Sequence, residues 1–330
     1  NTSGSFNTAI GFLSMFSNTT GQNNTALGAY ALQVNSIGYD NTALGNRTMI
    51  NNQTGYQNTA IGVYALTNNR TGWYNTACGY QALRNNNMGA NNIAVGVNAL
   101  FDNHSGSSNV AVGYQAAHNN YSGDYNIAFG NQALQTNVSG DYNTGIGQQA
   151  GANGSNYWQS TALGAFATVS ATNKVAIGSP WISEIGGHEQ WSTLSDGRFK
   201  NDIQEDVQGL SFINALRPVS YKVDARAVVD FLGVELEESV QAQLPDDHYE
   251  TGFIAQEVEA AAEKLGFEHF HAVGVPAHDQ DRYSLRYAEF VVPLVKSVQE
   301  LSAQNDAQVQ NIARLEALVA QQQTQIEQLL

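Results

Sequence analysis

The chain of 330 residues has a single cysteine, Cys78, which excludes a disulfide framework and a cysteine-rich zinc site. It also lacks long hydrophobic runs. The longest apolar stretches, Phe290-Val291-Val292 and Pro293-Leu294-Val295, fall far short of the roughly 20 residues that a membrane-crossing helix needs. Basic charge is scarce, with 14 Lys and Arg against 29 Asp and Glu and a net charge of −15. Such a surface repels phosphate backbones, so no nucleic-acid partner is expected. No basic-then-apolar segment opens the chain at Asn1, which lies inside a repeat, so the sequence reads as the C-terminal piece of something longer.

Acidic residues are missing from one half in particular. Residues 1–180 carry only Asp40, Asp102, Asp124 and Asp141, balanced by Arg47, Arg70, Arg84 and Lys174. The whole negative charge therefore lies beyond residue 180. A chain of this length is near the limit of one core, and the shift in composition marks a domain boundary.

What fills the neutral half is a repeat. Asn-Thr-Ala-(Ile/Leu)-Gly, or a close variant, begins at Asn7, Asn24, Asn41, Asn58, Asn75, Asn92, Asn109, Asn126, Asn143 and Ser160, and a last copy begins at Lys174. The step is 17 residues, shortened to 14 at the end, and every unit keeps its closing glycine, from Gly11 to Gly178. A fixed short period means that each unit is one coil, burying its apolar side only against its neighbours. Seventeen residues hold one or two short strands with their turns, and recurrent glycines mark corners or close backbone approach. These features predict a parallel β-solenoid.

Side chains in each Thr-Ala-Ile segment alternate between two faces. Small Ala or Gly occupies one, which predicts that another backbone approaches it closely. The other carries Thr, Ile, Leu or Val, and is expected to be a packed face, with Cys78 a small core hydrophobe within it. An ice-binding threonine ladder (Thr8, Thr25, Thr42, Thr59, Thr76) is disfavoured because Ile93, Val110 and Ile127 continue the column. Four acids in eleven units cannot supply a calcium-binding solenoid.

The Asn-x-Ala-x-Gly unit resembles the left-handed β-roll head of trimeric autotransporter adhesins and related phage fibre heads. That resemblance covers residues 1–180 and implies a trimer in which small residues let three rolls pack. Those heads use a shorter unit, so the 17-residue coil implies longer corners here.

Beyond a Trp- and Gly-rich connector stand four blocks. They are Leu194-Ser195-Asp196-Gly197-Arg198-Phe199-Lys200-Asn201-Asp202-Ile203, Gly209 to Tyr221, Gly252 to Val258, and Tyr283-Ser284 leading through Val291–Lys296 to Gln299-Glu300-Leu301. In that order they resemble the endosialidase-type C-terminal intramolecular chaperone, which trimerises at the end of phage tailspikes and fibres and then releases itself by autoproteolysis. Phe199 stands where that family usually has Leu, and Ala225 to Asp247 looks like an acidic insertion.

The resemblance implies a dyad of Ser195 as nucleophile and Lys200 as general base, cutting between Leu194 and Ser195. A serine hydroxyl needs a base within reach, and lysine serves once its ammonium is desolvated enough to lose its proton. Nucleophile and scissile bond are adjacent, so the reaction turns over once and needs neither a substrate pocket nor a cofactor. Asp196 and Arg198 are expected to set the turn. His269, His271, His278, Asp279 and Asp281 cluster in sequence, but a polar loop is the commoner meaning of such a cluster, and no metal site is assigned. His188 is read as incidental.

From Leu294 onward apolar residues recur at alternating spacings of 3 and 4: Leu294, Val298, Leu301, then Ile312, Leu315, Val319, Ile326 and Leu329, with Asn305, Gln308 and Gln322 as polar layers. This predicts a coiled coil. The seam alone leaves two or three strands open. The repeat and the family resemblance argue for three.

The expected organisation is a mostly β head or shaft (1–179), a connector (180–194), an α+β chaperone and autoprotease (195–293) and a coiled-coil helix (294–330) in a homotrimer. The expected function is that of a trimeric tail fibre or tailspike, in a virion or at a cell surface, assembled in the cytoplasm of the host or producing cell. The partners are two further copies of the chain and, through residues 1–179, a host-cell receptor or glycan. The alternative is a bacterial surface adhesin that keeps its trimerisation domain uncleaved. A glycan-degrading tailspike would need a carboxylate pair that the repeat does not show.

Overall fold

The computed structural model describes residues 2–179, 182, 184–186, 192–233, 249–279 and 281–329. The chain divides into two compact units, residues 1–187 with 224–245, and residues 188–223 with 246–330. His188, most of the expected connector and residues 234–247 of the expected insertion lie outside the described residues.

The first unit is the parallel β-solenoid that the repeat predicts. Eleven short strands, from Thr8–Ile10 to Val175–Ile177, form one parallel sheet. Their register follows the repeat, with Thr25 beside Thr42, Ala26 beside Ala43 and Leu27 beside Leu44. The step of 14 at the end is absorbed without loss of register, since Thr161 pairs with Val175.

The small-residue face is closely approached, as expected, but from within its own coil, whereas the face expected to be packed is not packed in this chain. Ala26, Ala43, Ala60, Ala77, Ala94, Ala111 and Ala128 are fully buried inside the coils. The Thr, Ile, Leu and Val on either side of them are exposed or half-exposed in this chain. The small-residue face therefore meets the opposite side of its own coil and is not available to a second copy. Cys78 points outward with its column and is exposed. The physical reason is the narrowness of the coil. A second apolar pair, Ala65-Leu66 and its equivalents, fills the interior from the other side and leaves room for no more than a methyl group opposite.

Two buried asparagine ladders tie the coils together. In the first, Asn58 Nδ2 donates to Asn41 Oδ1 at 3.1 Å and to the Gly72 carbonyl at 2.9 Å. In the second, Asn69 Nδ2 donates to Asn52 Oδ1 at 2.7 Å and to the same Gly72 carbonyl at 2.9 Å. Each amide thus satisfies groups on neighbouring coils, the condition under which polar side chains are tolerated in a core. The glycine where the ladders meet has no space for a side chain: a Cβ on Gly72 would lie 2.3 Å from Asn69 Oδ1 and 2.4 Å from the Gly89 carbonyl oxygen.

Non-glycine residues also turn left-handed at fixed places, as at Gln57, Tyr64 and Leu66. The reversal aims alternate N–H groups at opposite neighbours. Tyr64 N–H donates to Asn46 O in the coil before, and Leu66 N–H to Ala82 O in the coil after, while the Ala65 N–H between them bonds to Gly62 O of its own coil. Each such residue costs about 1–2 kcal/mol, offset by hydrogen bonds made on both sides of the coil.

In the second unit Phe212, Val258, Ala261, Ala262, Phe267, Ala272 and Phe290 make a small core. It is closed by ring contacts such as Phe212–Phe270 at 4.8 Å and Phe253–Phe290 at 5.4 Å. Short antiparallel pairs join Val219–Tyr221 to Glu250–Gly252 and Val273–Gly274 to Ser284–Leu285. The chain ends in a helix of 39 residues, Val291–Leu329, with Pro293 in its first turn, where proline is tolerated. At the start of the expected insertion, in the stretch grouped with the first unit, Ala225–Leu232 forms a helix capped by the Asp224 side chain and closed by left-handed Gly233.

Candidate functional site

The sequence-predicted site residues come together in a single tight turn. Asp196 precedes a one-turn 3-10 helix, Gly197–Phe199, and its carboxylate accepts the Arg198 N–H at 2.9 Å. The Arg198 guanidinium returns to the same carboxylate, with Nε 2.9 Å from Oδ2. These hydrogen bonds, the side-chain one foremost, hold the Asp196 carboxyl below its usual range and raise Arg198 above its own. The Lys200 N–H closes the turn on the Gly197 carbonyl at 3.2 Å.

The turn leaves Lys200 Nζ 2.8 Å from Ser195 Oγ, within the reach that proton transfer between nucleophile and base requires. Both side chains are exposed in this chain. Around them stand large apolar residues that are mostly exposed: Leu194 is 77%, Phe199 66% and Ile203 76% exposed, with the Arg198 guanidinium 5.7 Å from the centre of the Phe199 ring.

Other residues of the blocks have structural work. Arg217 pairs with Glu257, Nε to Oε2 at 3.0 Å, which joins the second block to the third. The Glu300 carboxylate accepts the Leu210 N–H at 2.7 Å, and a Cβ on Gly209 would lie 2.6 Å from both its oxygens. Gly252 is similarly required, because a Cβ there would meet the Tyr287 hydroxyl at 2.2 Å. These links were missed in sequence, although every partner but Tyr287 stands within a quoted block.

The histidine-rich loop makes different contacts. Asp281 is buried and accepts N–H groups from Ala277 at 3.1 Å and Arg282 at 2.8 Å, while His269 lies 3.7 Å from Asp206. Among the described residues no three His, Cys, Asp or Glu side chains converge as a bound metal would require. No helix among them is long and apolar enough to cross a membrane.

Residues 195–267 match the family model described as chaperone of endosialidase. The matched span begins at the nucleophile of the expected dyad and covers the first three blocks except Leu194. No curated protein and no solved structure matches the chain. The matched segment and the β-solenoid together fit a protein of the tail-fibre or tailspike kind.

Proposed function

We propose that this chain is the end of a homotrimeric fibre, and that the module opening at Ser195 brings three copies into register and then cuts itself away between Leu194 and Ser195. The 2.8 Å contact between Lys200 Nζ and Ser195 Oγ carries the reading. Neutral Lys200 takes the hydroxyl proton as Ser195 Oγ attacks the Leu194 carbonyl carbon. The tetrahedral intermediate collapses by breaking the bond to the Ser195 nitrogen, which leaves as an amine after receiving a proton. The resulting ester is hydrolysed by water to a Leu194 carboxylate and a free Ser195 hydroxyl.

Lysine acts as a base only where water is held off its ammonium. In the single chain Lys200 is exposed, and so are Leu194, Phe199 and Ile203 beside it. Assembly that buries these apolar side chains would dry the dyad, making the cut a consequence of correct trimerisation. The seam of the C-terminal helix supports association, since Leu301, Ile312, Leu315, Val319 and Ile326 are each about half exposed, and among the described residues every helix position from 301 to 328 is exposed. Release of the module would leave the remaining fibre kinetically trapped in its assembled form. Residues 1–179 would remain as the shaft or receptor-binding head.

The test is expression of wild type, Ser195→Ala and Lys200→Ala, followed by native mass and denaturing gels. Wild type is expected to be trimeric and cleaved, and both variants trimeric and whole. Trimeric wild type that stays whole would leave the assembly role and remove the peptidase role, the behaviour of an adhesin that retains its module.

A further inference from the structure

The side of the solenoid opposite its sheet carries a continuous run of rings and guanidiniums, and we propose that this run binds an acidic polysaccharide through its carboxylates. The proposal rests on the reading of residues 1–179 as a receptor-binding head, and adds the class of ligand.

The backbone places the run. Ala65-Leu66 and their equivalents fill the interior opposite the strand alanines, so the residues just before and just after each pair flank it on that side. Tyr30, Arg47 and Tyr64 stand before the pair on three successive coils, and Arg84, Phe101 and His118 after it on the next three. They join into one stack. Arg47 Cζ lies 5.6 Å from the centres of both the Tyr30 and Tyr64 rings. Arg84 Cζ lies 5.4 Å from Tyr64 and 5.5 Å from Phe101, whose ring stacks on His118 at 5.0 Å. Arg84 Nε is buried without a hydrogen-bond partner, so this side chain lies along the rings. Arg47 Nη1 donates to the Tyr64 hydroxyl at 2.7 Å. Stacking of this kind fixes each guanidinium plane and leaves its outer N–H edge free to take a carboxylate in bidentate fashion.

The protein supplies no such carboxylate. Among the described residues neither arginine is in an ion pair. Asp40, Asp124 and Asp141 stand one or two residues before a ladder asparagine, later in the coil than either arginine. Asp124 and Asp141 accept backbone N–H groups there, at 2.6 and 2.8 Å. Asp102, beside Phe101, accepts from Asn85 Nδ2 at 2.7 Å. Two like charges thus flank the Tyr64 ring without a counter-ion, and an anion bound along the run relieves their repulsion.

The spacing of the charges selects the anion. Arg47 and Arg84 are two coils apart, roughly 10 Å along the axis at the interstrand spacing of a sheet. An extended polysaccharide with a carboxylate on alternate sugars presents charge at close to that interval. A nucleic-acid strand carries a phosphate on every nucleotide and binds through many cations at once, more than this run offers. Tyr80 stands across the stack, turned 89° from Tyr64 and 46% exposed, and its ring gives the C–H face of a sugar a surface beside the charges.

The experiment measures binding by the purified product of the full chain, with its native and intact masses recorded. The probe is hyaluronan, which has one carboxylate per two sugars, set beside its carboxyl-reduced form, poly-L-glutamate and oligo-dT. Wild type is expected to bind hyaluronan about tenfold more tightly than the reduced polymer, since two charge-assisted contacts are at stake. It is also expected to prefer hyaluronan to the other two polyanions. Arg47→Gln with Arg84→Gln is expected to lose the advantage over the reduced polymer. Arg70→Gln, which removes an exposed guanidinium from a different column, is expected to keep it. Equal binding of hyaluronan and its reduced form by wild type overturns the proposal, as does tighter binding of poly-L-glutamate or oligo-dT. A folded double Gln variant that binds as wild type does overturns the site. A product that is trimeric and cut yet fails these tests leaves the assembly and cleavage readings standing. One that passes them while monomeric and whole supports the site and removes those readings.

Discussion

Glu300, in the C-terminal helix, accepts a hydrogen bond from the backbone N–H of Leu210 at 2.7 Å across 90 residues of chain. The contact ties the long helix to the module that carries the candidate dyad, and Gly209 makes it possible by leaving space for the carboxylate. Gly209→Ala would push a methyl group into that carboxylate. It is expected to lower the unfolding free energy of the module by about 1–3 kcal/mol, as overpacking does. Glu300→Gln keeps an acceptor and is expected to cost less. Denaturant unfolding of both variants checks the order, and equal effects would contradict the role given to Gly209.

The asparagine ladders predict a contrast between a ladder residue and one on the coil surface. Asn69 is buried and serves Asn52, Gly72 and Asn86, whereas Asn51 is half-buried and bonds to Asn68 at 2.9 Å. Asn69→Ala leaves buried groups unpaired and is expected to cost about 1–3 kcal/mol. Asn51→Ala is expected to cost about 0.5–1 kcal/mol. Thermal unfolding of residues in the solenoid measures both.

The Arg217–Glu257 pair predicts a pH dependence. The hydrogen bond from Arg217 holds the Glu257 carboxyl below its ordinary value. A depressed carboxyl contributes stability above its unfolded pKa and loses it as pH falls through the folded value, because the unfolded state then binds more protons. Unfolding midpoints of wild type are therefore expected to fall toward acid more steeply than those of Glu257→Gln. Both residues are substantially exposed, so the difference is expected to be small and to shrink in high salt.

The period of 17 made the solenoid, its register and its closing glycines legible from sequence, since translational repetition forces identical residues into columns. Which face of each strand points inward was not legible. Alternation says only that Thr25 and Ala26 lie on opposite sides, and the choice depends on Ala31 and Leu32 filling the interior from across the coil. Those residues repeat with the same period, as does the second ladder from Asn18 to Asn137, and both columns could have been read. The left-handed turns at Tyr64 and Leu66 could not, because bulky side chains give no sign of positive φ. The Ser195–Lys200 spacing was legible because the turn that joins them is local, whereas the Glu300–Leu210 contact depends on tertiary folding.

The seam of the C-terminal helix predicts that charge within it blocks association. Leu301→Asp with Leu315→Asp places carboxylates where apolar side chains would meet. The double variant is expected to sediment as a monomer at micromolar concentration. Because the dyad then stays exposed, it is also expected to remain uncut. A monomeric variant that still cleaves would contradict the dependence of the cut on assembly.

The most direct measurement is the intact mass of purified wild-type chain beside Ser195→Ala and Lys200→Arg. The account predicts two wild-type species, residues 1–194 and 195–330, formed without added protease. It predicts one full-length species of 35.5 kDa for each variant, since alanine removes the nucleophile and a guanidinium cannot accept its proton. Cleavage at this bond in the Ser195→Ala variant, or a trimeric wild type of full-length mass, would contradict it.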